Sequence, residues 1–444
     1  LVASSAIAGS NVVLAGESYF IGDEQPVVEP SASDLQAPAK GAYQPSCQPA
    51  CDTCGNGCVG PDAEPWRLFA NRNACSEWQI TGFIDSGATA NRRDVASRYN
   101  GPVTFNDRNE GTLNAFWLTM ENAIDTSCYS WDIGGRVDMM YGSDYIFNQT
   151  TGFELHDDGT QHWNGNPYYG LAMPQIYGEI GYNDLSVKVG RFFTILGYEV
   201  VPGTGNFFYS HAYTMQYGEP FYHWGGLATY KYSDTTSLVT GVVNGWDAID
   251  RTQDNWGFVG GLLWNNGDDL SVALTGISSN EPNPAAAIGG GAFTTRSMYS
   301  LVVTNKINDC WTYVFQNDVA VQNRANPNVP VGQPLTAEWY SVNQYLFYTI
   351  NDCWKAGMRF EWFRDDDGVR VAGVRPGNPI GGNFAGNFYE ATWGLNWTPT
   401  TNLIVRPELR YDWYDDGNFA GNLPYNDGLD ADQFLAAFDV IYLW

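Results

Sequence analysis

Three stretches of the 444-residue chain carry charges of both signs at even spacing: Asp132, Arg136 and Asp138; Lys355 with Arg359 and Glu361 on the same parity; and Arg406, Glu408, Arg410 and Asp412. Residues two apart on an extended chain share one face, so each stretch reads as a charged ladder along a strand. The alternate positions hold Trp354, Ala356, Met358, Phe360 and Trp362 in one case, and Leu403, Val405, Leu409, Tyr411 and Trp413 in another. One face of such a strand needs water or ion pairing, and the other needs apolar surroundings. The chemistry on offer is therefore electrostatic: an ion-paired wall, or a field acting on solutes in a wet interior. Glu179, Lys188 and Glu199 are further candidates for the same interior.

Catalytic groupings are sparse. Of four histidines, His156 and His162 lie with Asp157 and Asp158 in a loop-like segment, where an acid–histidine pair could activate water or a divalent cation could bind. An acidic loop that is simply solvated is the plainer reading. Ser210 and His211 are neighbours in an aromatic stretch, without the Gly-x-Ser-x-Gly elbow of a nucleophile. No enzyme, cofactor or built-in metal centre is expected, with loop-bound divalent cations the one exception. The net charge of -27, with 22 basic residues against 49 acidic, excludes nucleic acid, whose phosphates need clustered Lys and Arg.

The eight cysteines form two sets. Cys47, Cys51, Cys54 and Cys58 lie in a segment rich in Pro and acidic residues, while Cys75, Cys128, Cys310 and Cys353 stand at the starts of alternating segments. In an oxidising compartment disulfides are favoured over zinc or free thiols. Cys75 with Cys128, and Cys310 with Cys353, each skip one strand. Two strand spacings are about 9.5 Å, beyond the roughly 7 Å that a disulfide spans between Cα atoms, so these favoured pairs require the turns to lean inward. The rival arrangement stitches the amino-terminal four onto the other four.

The elements that must position these residues are strands. Mean hydropathy is -0.30 and no run of about 18 apolar residues could cross a bilayer as a helix. Yet aromatics make up 15%, with 17 Trp, 27 Tyr and 49 Gly, the surplus that lipid-facing strands and interfacial girdles use. About sixteen alternating segments follow Trp78, near 78–88, 112–123, 130–141, 174–182, 185–194, 223–232, 236–245, 255–264, 269–277, 297–305, 311–321, 338–349, 354–363, 387–397, 402–414 and 434–444. Short turns and long connections alternate between them, as in barrels with short periplasmic turns and long external loops. Trp78, Trp131, Trp264, Trp311, Trp354, Trp397 and Trp444 fall at the short-turn rim; Trp224, Trp246, Trp256, Trp339, Trp362 and Trp413 fall at the other. Two aromatic girdles result. The last segment alternates Phe434, Ala436, Phe438, Val440, Tyr442 and Trp444 with Gln433 and Asp439, as a closing barrel strand does. The fold expected is an all-β transmembrane antiparallel barrel over 75–444, with an irregular acidic extension over 1–74. Residues 1–15 have the small, apolar flavour of a signal-peptide tail and are read as mature and exported.

Asn100-GPVTFNDR, Arg136-VDMMYGSD, Met173-PQIYGEIGYNDLSVKVGRFFTILGYEVV, Asn206-FFYSHAYTMQYGEP and Asn387-FYEATWGLNWTPTTNLIVRPELRYDWY resemble the OmpL-like β-barrel porins abundant in planctomycetes. The resemblance covers about residues 75–444. It implies a diffusion channel for small hydrophilic solutes and ions in the outer membrane of a Gram-negative-type bacterium, surrounded by lipid, with the extension and the carboxy terminus periplasmic. It carries over no catalytic residue. Likeness to general porins further implies a homotrimer and an inward-folded third long loop, roughly 195–222, the alternative being a loop packed over a subunit interface. That loop would bring Tyr198, Glu199, Asn206, Tyr209, His211, Tyr213, Gln216 and Glu219 towards Arg359, Arg406 and Arg410. A structural barrel, forming a surface lattice or tethering envelope proteins through residues 1–74, is the competing expectation.

Overall fold

The alternation becomes antiparallel pairing along the whole chain, from β1 (Gln79–Asn91) to β17 (Asp432–Leu443). The computed structural model describes Trp66, Leu68 and residues 78–444, apart from residues 94, 127–129, 157, 250–255, 333–334, 383 and 416–422. Between the ends lie β2 (Gly111–Asn122), β3 (Trp131–Gly142), β4 (Gly170–Ala172), β5 (Ile176–Tyr182), β6 (Leu185–Phe193), β7 (Tyr222–Ser233), β8 (Thr236–Val243) and β9 (Gly257–Asn265). They continue as β10 (Leu270–Pro282), β11 (Phe293–Lys306), β12 (Trp311–Asn326), β13 (Leu335–Asn351), β14 (Trp354–Asp365), β15 (Gly386–Thr400) and β16 (Leu403–Asp415). With β4 and β5 counted together, each strand pairs with its chain neighbours, and β1 also pairs with β17, with Phe83 opposite Leu443. Gly82 and Trp444 exchange backbone hydrogen bonds of 3.1 and 2.9 Å. Closure leaves no unpaired edge, which a bilayer would not tolerate.

Seventeen segments make a sixteen-stranded barrel. Both β4 and β5 pair with β3, Ala172 opposite Met140 and Ile176 opposite Val137. They are two parts of one barrel strand, broken at Met173–Pro174–Gln175, because proline has no N–H to give to a ladder. The Asp138 N–H donates to the Gln175 carbonyl at 2.9 Å, bridging the break.

The faces follow the expected parity. Val189, Leu274, Met358, Leu409 and Phe438 are exposed on the outside, whereas Arg359, Glu361, Arg410 and Asp439 are buried within. Most connections keep the alternation of short and long. The connection 327–334 is the exception, no longer than 123–130, because β12 and β13 run on as a projecting hairpin beyond the expected 311–321 and 338–349.

Two girdle assignments are corrected. Trp339 has inward parity on β13, only 1% exposed, and Trp246 is 2% exposed beside it, their rings 6.2 Å apart and edge-on. Both lie in the apolar cluster that fills the long-loop half of the interior, with Phe363, Phe388 and Tyr414. Aromatic position at a rim gives height along the strand, not the face.

At the short-turn rim Trp66 is tied to Asn402: its N–H donates to Asn402 Oδ1 and its carbonyl accepts from Asn402 Nδ2, both at 2.9 Å. Cys310 and Cys353 are each disulfide-bonded; Cys47, Cys51, Cys54, Cys58, Cys75 and Cys128 lie outside the described residues, so the expected pairings stay open. Alkylation of the denatured, unreduced protein is therefore expected to leave residues 310 and 353 unlabelled until reductant is added. Labelling of either without reductant contradicts this.

Candidate functional site: the loop-filled lumen

The third long connection, 194–221 between β6 and β7, enters the barrel, and the inward charges of β14, β16 and β17 receive it. A chain segment inside a barrel has no ladder to satisfy its backbone, so its N–H and C=O groups need other partners. Carboxylates take the N–H groups. Glu408 accepts from the amides of Tyr209 and Ser210 at 2.9 and 3.2 Å, and Glu361 accepts from Tyr213 and Thr214 at 2.6 Å each. Arginines take the carbonyls. Arg359 Nη1 donates to Ser210 O at 2.8 Å, Arg410 Nη1 to His211 O at 2.6 Å, and Arg406 Nη1 to the carbonyls of Gly203 and Asn206 at 2.6 Å each.

The same guanidinium groups also pair with carboxylates. Arg359 bridges Glu390 at 2.7 Å and Glu199 of the loop at 2.6 Å. Arg406 donates to Asp439 through Nε at 2.9 Å, and Arg410 to Asp412 at 2.8 Å. Asp412 in turn accepts from the Tyr213 hydroxyl at 2.9 Å. Burial alone would raise the Glu199 carboxyl, but the adjacent Arg359 and the His211 hydrogen bond hold it at about 2. Burial lowers the His211 imidazole against the pull of that carboxylate, so neutral His211 donates Nδ1–H to Glu199 at 3.0 Å.

Wall glycines make room for the loop. A Cβ on Gly357 would meet the Phe207 ring at 2.4 Å, and one on Gly87 would meet the Tyr209 ring at 2.6 Å. Either must be shifted by any larger residue at those inward positions.

The ladder residues therefore divide into two groups. Asp138, Glu199, Arg359, Glu361, Arg406, Glu408, Arg410 and Asp412 are buried. All but Asp138 touch or belong to the loop; Asp138 accepts from Thr119 at 2.7 Å and Gln175 at 2.9 Å. Asp132, Arg136, Glu179, Lys188 and Lys355 are half-buried, nearer the short-turn rim. Arg136 pairs with Asp138 at 3.0 Å, Glu179 sits opposite Lys188 in register, and the Asp132 carboxylate accepts the Asp125 N–H at 2.7 Å. The expected eyelet side chains, Tyr198 and Tyr209 among them, reach the lumen but are buried against its wall.

Parity alone would have exposed Glu390, which shares the inward face of β15 with Thr392. It would not have found Arg191. That residue follows Gly190, at φ +138°, and its fully buried guanidinium pairs with Glu154 of the second long loop at 2.6 Å. Arg359→Met leaves Glu199 and Glu390 without their cation and should cost about 3–5 kcal/mol of loop docking. The amides of Ala212, Tyr213 and Thr214 should then exchange hydrogen about two to four orders of magnitude faster while strand amides hold; unchanged exchange would show that the loop does not depend on this pair.

Residues 77–444 match the family model described as "Putative beta-barrel porin-2, OmpL-like". Among solved structures, the outer membrane channel DcaP of Acinetobacter baumannii is similar at 13% identity and a TM-score of 0.52, over 83% of this chain and 97% of that one. The anion-selective porin from Comamonas acidovorans gives 10% and 0.52 over 83% and 99%. In-vitro folded OmpT of Vibrio cholerae, in trimer form, gives 12% and 0.50 over 83% and 99%. Among curated proteins none matches this sequence. The likeness to solved structures carries the fold, and the family model covers the whole described barrel: the chain belongs to the OmpL-like β-barrel porin-2 family of the outer membrane.

Proposed function

We propose that the chain is a passive diffusion channel for small hydrophilic solutes and ions, whose passage is set by the third long loop. The observation that carries this is the docking of residues 203–214 onto Arg359, Glu361, Arg406, Glu408 and Arg410. Sixteen strands enclose more space than wall side chains fill, so here the loop decides how much remains. The half-buried Asp132, Arg136, Glu179, Lys188 and Lys355 line the wetter approach from the short-turn side. Residues 1–74 form a periplasmic extension, joined at Trp66 to the rim. A homotrimer, as in general porins, is the assembly that fits, with lipid against the outer apolar faces. A second reading has a specific observation in its favour: seven ladder residues and Glu199 of the loop are shut away from water, as in a barrel serving as a structural element.

Single-channel conductance separates the two readings. Deleting residues 203–215 should raise it severalfold; an unchanged conductance from a correctly assembled barrel would remove the loop from control. Wild-type protein with no conductance, against a conducting deletion variant, would favour the structural reading.

The excess of 49 acidic over 22 basic residues should give weak cation preference. The negative potential concentrates cations at the mouths and is screened as the Debye length falls to about 3 Å at 1 M salt. Reversal potentials across a KCl gradient near about 0.1 M test this; anion preference would mean that the lumen arginines dominate.

A further inference from the structure

The second long connection, 143–169, carries a pair of histidines that neither the fold nor the diffusion pathway requires. Residues 154–156 and 160–162 pair as two short antiparallel arms: the His162 N–H donates to Glu154 O at 2.9 Å and the His156 N–H to Thr160 O at 2.8 Å, with Leu155 bridged to Gln161. In this register His156 faces Thr160, so His162 lies two residues along the opposite arm. Diagonal cross-strand neighbours on one face are within reach of each other's long side chains. His162 Nε2 is 2.7 Å from His156 Nδ1, with the two rings edge-on and their centroids 3.7 Å apart. Both side chains are exposed.

These arms are held rigidly from below. The buried Glu154 carboxylate accepts from the N–H groups of Thr150 and Met173 at 2.9 and 3.0 Å and from Arg191 at 2.6 Å. The His162 ring is itself oriented, because its Nδ1 lies against the Phe153 carbonyl. A carbonyl there accepts a hydrogen bond from Nδ1–H and leaves Nε2 with its lone pair, the arrangement that orients imidazole ligands in metal sites. That lone pair faces His156 Nδ1, where a proton is all that separates the two nitrogens.

From this geometry we propose that His156 and His162 form a surface site for a borderline divalent transition-metal ion of the Zn²⁺ class. On binding, the His156 Nδ1 proton moves to its Nε2 and the rings part, since Zn–N bonds of about 2.0–2.1 Å at a tetrahedral angle hold two nitrogens roughly 3.3 Å apart; His162 Nε2 and His156 Nδ1 then bind the ion, with water completing its coordination. No group of three or more His, Cys, Asp or Glu ligands converges among the described residues, so the site is open and exchangeable. Mg²⁺ and Ca²⁺, which demand oxygen ligands, should not compete. Because imidazole must be deprotonated to bind, occupancy falls with acidification.

The test is zinc binding by the untagged, chelator-stripped, full-length protein in detergent, followed by calorimetry and by competition with a chromophoric chelator. The remaining histidines, His211 and His223, are buried at 2% and 0% exposure, so the exposed pair can be assigned by substitution. The expected result is a zinc equivalent that is lost in His156→Ala/His162→Ala and weakened at least about tenfold in each single variant. It should persist in His211→Gln and in the presence of excess Mg²⁺. The amino-terminal cysteines could hold zinc of their own, so the decisive quantity is the difference between wild type and the double variant. Equal stoichiometry in those two proteins, or no zinc bound by wild type, overturns the proposal.

Discussion

Everything inside this barrel follows from one constraint: a chain segment lodged in the lumen cannot join the sheet, and its backbone polar groups must still be satisfied. The wall meets that need with ions. Glu199, Glu361 and Glu408 take amide protons, and Arg359, Arg406 and Arg410 supply protons to carbonyls. Hydrogen bonds to ionised groups are the stronger kind, which suits a loop that must hold its place against water on either side. Buried ion pairs add little net stability compared with apolar packing. Their value here is positional, since removing one member strands its partners and releases a particular stretch of loop.

The remainder of the interior adapts to that docked segment. Gly87 and Gly357 leave space for Tyr209 and Phe207, and Trp339 turns inward to donate to the Gly218 carbonyl at 3.1 Å. Gly197, at φ +87°, lets the Glu219 carboxylate close against the backbone, where any Cβ would sit 1.9 Å from Oε2. Partly solvated charges remain near the short turns of β3, β5, β6 and β14, while buried apolar clusters and loop-docked ion pairs occupy the interior around the docked segment.

Strand positions and faces were legible in the sequence because both are local: two-residue alternation specifies the face, and Asn-Asp or Asn-Gly-Asp punctuation specifies the turns. Even the closing strand, with Asp439 inward and Phe438 outward, follows from seven or eight residues read alone. Alternation cannot tell what stands opposite a face. Arg359 and Lys355 have the same parity on β14, yet one is buried against the loop and the other is half-exposed. Trp339 shows the same limit from the apolar side, because a tryptophan near a rim satisfies a girdle and a plug equally well in one dimension. Arg191 escaped for a different reason: its partner Glu154 lies in the second long loop, which alternation along a strand cannot bring into view.

The charge count inside the plug sets a further condition. Among the described residues, Asp85, Glu199, Glu361, Glu390, Glu408, Asp412 and Asp439 are buried there, and the buried arginines paired with them are Arg359, Arg406 and Arg410. Buried charge without compensation is prohibitively costly, so arginines alone cannot account for this density of carboxylates. Neutral donors make up part of the difference: the loop amides on Glu361 and Glu408, the Tyr213 hydroxyl on Asp412 and the Asn114 amide on Asp85 at 3.0 Å. The dependence is mutual. The wall carboxylates satisfy the loop, and the loop's N–H dipoles make an acidic wall tolerable. An acidic lumen and an inserted loop are in this sense one feature, and withdrawing the loop would require water or cations to enter the space it leaves.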